Sequence, residues 1–167
     1  MSSERPHVDP NDFKGALGSW AAGVTVVTTR VNDMVYGLTV SSFASLSVDP
    51  LLILVCIQNS NHLVEMVQQS KSFAVSILAE GQEEISSHFA TSGREPVDHY
   101  RDFGTIEWHT GSPIIDGAVA HLDCELHDAL PGGDHTIMVG RVIGAAYDPN
   151  KQPLVYFRRA YRSVGGS

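Results

Sequence analysis

The stretch AVAHLDCEL, residues 118–126, alternates strictly, with Ala118, Ala120, Leu122, Cys124 and Leu126 on one side and Val119, His121, Asp123 and Glu125 on the other. A period of two is that of a strand. The first set therefore predicts the inward face and the second the solvent face of a half-exposed antiparallel strand. Beyond it, Pro131-Gly132-Gly133-Asp134 signals a turn into a strand over Thr136–Val142, and Pro153–Phe157 supplies a last strand. Toward the N-terminus, β-branched runs predict strands at Val24–Arg30, at Met34–Val40 across an Asn32-Asp33 turn, at Leu51–Ile57 and at Ser72–Leu78. Helical spacing shows in Phe13, Ala16, Leu17 and Trp20 after Asn11 as N-cap, in His62–Gln69, and in Glu80–Phe89 with Ile85 and Phe89 on one face. Many strands, short helices and no βαβ rhythm predict a mainly β fold, a β-barrel with short helical inserts.

Bulk composition bounds the rest. A chain of 167 residues, 43% hydrophobic and 18% charged, is long enough for one domain over 1–167, with loose ends at about 1–10 and 163–167. The longest apolar run, Leu51–Ile57, falls far short of the roughly 20 residues a membrane helix needs. The opening MSSERPHVDPND lacks the apolar centre of a signal peptide, so the expected address is the cytoplasm, with no membrane partner. A net charge of -8, from 11 Lys and Arg against 19 Asp and Glu, argues against a nucleic-acid surface, and an anionic ligand would have to be held by local donors. Cys56 and Cys124 lie in apolar segments without a CxxC pair and read as reduced core thiols.

Chemistry is concentrated in few places. GxGxxG after a strand, GxxxxGK[ST], HExxH and GxSxG are all missing, which removes the sequence support for dinucleotide-fold, P-loop, zincin and hydrolase-elbow readings. His62, His88, His99, His109, His121 and His127 share no spacing with a second ligand type, so they read as surface residues and no metal is expected. By contrast, GLTVSSFASLSVDP at 37–50 sets five hydroxyls among Leu38, Val40, Phe43, Ala44, Leu46 and Val48. Such a segment suits a ligand that needs apolar contact beside converging donors, or else hydroxyls that satisfy backbone groups at a bulged strand end.

The order of FKGALGSWAAGVTVVTT (13–29), GLTVSSFASLSVDP (37–50), SFAVSILAEGQEEISSHFA (72–90), GGDHTIMVGRV (132–142) and PLVYFRRAYR (153–162) closely resembles the flavin reductase-like family over nearly the whole chain. That resemblance implies an FMN-binding split β-barrel that forms a homodimer, holds FMN or FAD between subunits and takes hydride from NADH or NADPH. It also implies delivery of the reduced flavin to a separate flavin-dependent monooxygenase. By the same resemblance, Thr39, Val40, Ser41 and Ser42 line the isoalloxazine and ribityl chain, while Ser45, Leu46 and Ser47 sit nearer the phosphate. Cys56, Ile57 and Gln58 border the ring, Ser60 and Asn61 add donors, and Phe89 packs either near the flavin or, four residues after Ile85, in the core. His135, with Asp134 as its orienting neighbour, positions the nicotinamide, and Tyr161 and Arg162 close over the site. At Gln58-Asn59-Ser60-Asn61 this chain departs from the many relatives that carry Lys or Arg before the Ser. A non-catalytic or electron-relay flavin-binding protein of the same fold stays open as the alternative, as does a barrel for another small aromatic ligand.

Overall fold

The computed structural model describes residues 7–97 and 105–165. Its main sheet has seven antiparallel strands. In spatial order these are β3 (Met34–Val40), β2 (Thr25–Val31), β6 (Ser72–Ile77), β9 (Ala120–Gly132), β10 (His135–Tyr147), β5 (Leu51–Gln58) and β4 (Phe43–Val48). A small sheet joins β1 (Ala22–Gly23), β11 (Val155–Phe157) and β12 (Ala160–Arg162), and β7 (Thr105–Glu107) pairs with β8 (Pro113–Ile115). Helices α1 (Pro10–Leu17), α2 (His62–Ser70) and α3 (Glu83–Ala90) complete the described elements.

The two edge strands of the large sheet, β3 and β4, are consecutive in the chain, separated only by Ser41-Ser42. Were the sheet flat, six gaps of about 4.8 Å would set its edges about 29 Å apart. Three Cα steps from Val40 to Phe43 reach at most about 11 Å. The sheet must therefore curl until its edges approach at Ser41-Ser42. Those edges do not pair with each other. The expected barrel is thus corrected in one respect: the architecture is mainly β and curled, but the sheet is open along the line between β3 and β4.

Inside the curl, Val27, Tyr36, Val40, Val55, Ile57, Leu63, Phe73, Val75, Cys124 and Met138 form one core cluster, with Leu122 and Leu126 packed against it. Leu122, Cys124 and Leu126 of the inward set expected for 118–126 take part in it, while Ala118 and Ala120 lie outside the cluster. Burial, and secondarily Asp123, pushes the Cys124 thiol up to about 12, so it stays protonated at neutral pH. Cys56, expected in the core as well, is only half-buried. A second cluster of Val24, Val26, Val35, Leu78, Phe89, Ile115 and Leu154 lies against α3.

The outward face of β9 departs from the solvent face expected for it. Asp123 is fully buried because the segment before β8 folds over it, its carboxylate accepting from Thr110 N at 2.9 Å and Thr110 Oγ1 at 2.6 Å. Neighbouring His121 is half-buried beside Ser76, and its pKa is lowered first by that burial and then by Lys151, with Asp116 acting the other way. His99 lies outside the described residues.

Helix α1 also differs from expectation. Asp9, not Asn11, is its N-cap, accepting from Asn11 N at 2.7 Å, with Pro10 in the first turn. Its apolar stripe finds no cover: Phe13 and Leu17 are each 57% exposed, and Trp20 beyond the helix is 77% exposed.

Candidate functional site

At the bend between β3 and β4 the hydroxyls divide their work. Thr39 Oγ1 donates to Ser86 O of α3 at 2.7 Å, tying the strand to the helix. Val40 turns into the core, and its carbonyl accepts from Thr25 Oγ1 at 2.6 Å. Ser42 Oγ donates to Cys56 O at 2.8 Å and accepts from Cys56 N at 3.1 Å, taking the place of a ladder pair just before β4 begins. This hydroxyl satisfies backbone, the second of the two uses the sequence allowed. Ser42→Ala should therefore lower unfolding stability by about 1 kcal/mol, as loss of a backbone-pairing hydroxyl does, whereas Ser41→Ala should not. Chemical denaturation of the two variants checks this; equal stability of both would return Ser42 to the ligand site.

Ser41 lines a cavity of about 230 Å³ with Val24, Thr39, Ser86, Ala90, Tyr156 and Tyr161. Most of its wall is apolar or aromatic, and its polar groups converge from β3, the bend, α3, β11 and β12. Tyr161 OH donates to Ser86 Oγ at 2.9 Å, and the Tyr161 ring meets Tyr156 edge-on with centroids 5.4 Å apart. These two tyrosines sit opposite each other across the β11–β12 pair. Ser86 and Tyr156 were missed in the sequence. Ser86 stands three residues before Phe89 on α3, the same helical face, and that spacing is the signal that would have placed it inward.

Phe89 is not a lining residue. It is fully buried under β3, where a Cβ added to Gly37 would come within 2.7 Å of Phe89 Cε1, so only glycine lets the strand lie on the ring. Of the two roles the sequence allowed Phe89, this burial fits the core one. Ile57 likewise faces the core at 1% exposure.

Across the bend, the rim continues along β5 and β10. Ser42 fastens Cys56; two residues on, on the same face of β5, Gln58 pairs with His135, the first residue of β10. A two-residue turn, Gly133-Asp134, with Gly133 in the left-handed region at φ 75°, brings the chain from Gly132 back to His135. His135 Nδ1 is 2.7 Å from Asp134 Oδ1, and this hydrogen bond holds the exposed Asp134 carboxyl below the usual carboxylate range. A charged carboxylate only accepts, so Nδ1 carries the proton, and Nε2 has no partner among the described residues. Asn59, another residue missed in the sequence, clips the turn from below. Its N–H donates to Asp134 O at 3.0 Å, its Nδ2 to Gly133 O at 3.3 Å, and its Oδ1 accepts from Thr136 Oγ1 at 2.8 Å.

The remaining expected residues fall outside these two groups. Asn61 is the N-cap of α2, its Oδ1 accepting from Leu63 N at 2.9 Å, which leaves its Nδ2 as the group that could donate to a ligand. Ser60 is exposed in the turn before it. Ser45 and Leu46 are exposed and Ser47 half-buried on edge strand β4, where a bulge between Ser45 and Ser47 leaves Leu46 unpaired. Arg162 is exposed, with Nη1 donating to Tyr161 O at 3.1 Å.

Comparison with known proteins places this geometry in context. Residues 17–165 match the family model described as "Flavin reductase like domain". The chain is 40% identical over 162 residues to an NADH-dependent flavin reductase of Rhodococcus sp, covering 95% of this chain and 89% of that protein. To the reductase component of a 4-hydroxyphenylacetate 3-monooxygenase from Thermus thermophilus it is 39% identical, covering 91% and 95%. Among solved structures, the NADH:FAD oxidoreductase SgcE6 of Streptomyces globisporus superposes with a TM-score of 0.89 at 34% identity, covering 98% of this chain and 99% of that one.

Proposed function

The chain belongs to the flavin reductase-like family, and from that premise we propose that it is an NADH-dependent flavin reductase. It is a split β-barrel enzyme of the cytoplasm that supplies reduced FMN or FAD to a separate flavin-dependent monooxygenase. The observation that carries this reading is the cavity beside the β3–β4 bend, apolar and aromatic in its walls and hydroxylated at one edge. A flavin offers an aromatic ring system with polar edges, and those residues fit such a group. When bound, it would supply the acceptor for the hydride, one proton with two electrons, that NADH gives up in becoming NAD⁺.

Hydride transfer needs no strong acid or base from the protein but close, fixed approach of two rings. This chain's residues are suited to that work. Ser41, Thr39 and Tyr161 border the cavity, Tyr156 and Tyr161 give it an aromatic wall, and His135 offers Nε2 from a ring whose other nitrogen Asp134 fixes. NADPH as an alternative donor belongs to the same proposal.

A homodimer completes the reading. Leu46, Val48 and Leu51 on the β4–β5 edge, with Val48 80% exposed, and separately Phe13 and Leu17 on α1 are left bare, apolar positions that a partner copy could cover. Mixing the protein with NADH and riboflavin, FMN or FAD should consume NADH at 340 nm, and sedimentation should give a dimer. A yellow protein that leaves NADH untouched would overturn the enzyme, and a fully active monomer would overturn the shared site.

A further inference from the structure

We propose that the groove between helix α1 and the β11–β12 turn is an anion site that takes the phosphate or diphosphate of a nucleotide. The groove, about 420 Å³, is lined by Asn11, Lys14, Gly15, Gly18, Ser19 and the pair Arg158-Arg159. Three of the chain's 11 basic residues converge there, in a protein that carries 19 acidic ones, and none of the lining residues is acidic. No salt bridge ties Lys14, Arg158 or Arg159 to a carboxylate among the described residues. Asp9 and Asp12 lie on or beside the same helix but outside the lining, and Asp9 accepts from Asn11 N.

The backbone is shaped to hold these cations in place. Arg158 and Arg159 both adopt the left-handed region, at φ 48° and 61°, which costs a side-chain-bearing residue energy in a turn where glycine would be free of strain. Arg158 N donates to Gly18 O at 3.1 Å, so the turn is fastened to the end of α1, and the Arg158 guanidinium rests 5.0 Å from the Phe157 ring centroid. On the helix, Asn11, Lys14, Gly15 and Gly18 share one face, and a Cβ added at Gly15 would meet nothing within 4 Å, so the floor stands open.

Basic residues near a helix C-terminus also serve to answer its dipole. Here that need is already met. The carbonyls of Lys14, Gly15, Ala16, Leu17 and Gly18 each accept a hydrogen bond, from Gly18 N, Ser19 Oγ, Ser19 N, Trp20 N and Arg158 N in turn. The guanidinium and ammonium groups are left to face an external anion, and phosphate, with its several acceptor oxygens, matches two arginines and a lysine.

Position identifies the anion's carrier. The same short hairpin that bears Arg158-Arg159 at its turn bears Tyr156 and Tyr161 across from each other one residue pair away, on the wall of the aromatic cavity. A ring at the tyrosines and a phosphate at the arginines is the layout of one nucleotide held along one hairpin. Naming that nucleotide as a flavin nucleotide or a pyridine dinucleotide rests on the reductase reading; the anion site itself does not.

Two full-length variants test it. Arg158→Gln with Arg159→Gln removes the paired charge, and Gly15→Glu puts a carboxylate into the open floor at a helical position where leaving glycine does not harm the fold. Titrated calorimetrically with inorganic pyrophosphate, wild type should bind, and both variants should bind roughly tenfold or more weakly, as expected on losing charge-assisted contacts. No binding by wild type, or equal binding by all three, overturns the site. Kinetics then name the carrier. A fall in kcat/KM for FMN and FAD relative to riboflavin identifies the flavin phosphate, and a fall for NADH with riboflavin as acceptor identifies the dinucleotide. Unchanged values on both arms overturn the nucleotide assignment. Should wild type oxidise no NADH with any flavin, the reductase reading falls, while calorimetry still decides the groove.

Discussion

His135→Ala should reduce kcat/KM for NADH by roughly tenfold to a hundredfold, about 1.4 to 2.7 kcal/mol of transition-state stabilisation, while flavin affinity and thermal stability stay near wild type. The expectation follows from what the ring touches. Its one side-chain hydrogen bond is to exposed Asp134, so little of the fold depends on it, and its pairing with Gln58 is made by backbone, which alanine keeps. What alanine removes is Nε2, which has no partner among the described residues. Stopped-flow reduction of flavin with varied NADH separates the hydride step from flavin binding. Normal NADH oxidation would move the dinucleotide elsewhere, and early melting with loss of flavin would make His135 a structural residue.

Phe89→Ala should cost about 3 to 5 kcal/mol of unfolding stability, the usual range for deleting a fully buried aromatic ring. The ring has no exposure, packs with Val24, Val35, Ile115 and Leu154, and carries the Arg94 guanidinium 4.9 Å from its centroid. Because Gly37 lies directly on it, removing the ring also leaves β3 unsupported just before Thr39 and the bend. Flavin affinity should fall as a secondary effect. Urea denaturation measures the first and fluorescence titration the second. A variant that keeps its stability yet loses flavin would restore Phe89 as a direct contact.

Much of this was legible because strand periodicity is a local property. The inward set of residues 118–126, the turn before His135 and the strands at Met34–Val40 and Leu51–Ile57 are written in neighbouring residues. What escaped depends on residues distant in sequence. Asp123 reads as a solvent-facing carboxylate until Thr110 is brought over it. Strand β4 was hidden because Ala44, Ser45 and Leu46 are all exposed on a bulged edge, so no alternation announces it. Asn61 reads as a free donor, although an Asn before a helix is the usual cap and the helix from His62 was itself predicted. Tyr161 found its partner in Ser86, 75 positions away, a pairing that no spacing rule could supply.

The Ser41-Ser42 bend has a mechanical meaning as well. Residues 34–48 run as one bent ribbon whose first half is bonded to β2 and whose second half is bonded to β5, strands that stand near opposite ends of the sheet order. A load applied at the bend is therefore shared by both ends at once, like tension on the clasp of a bracelet.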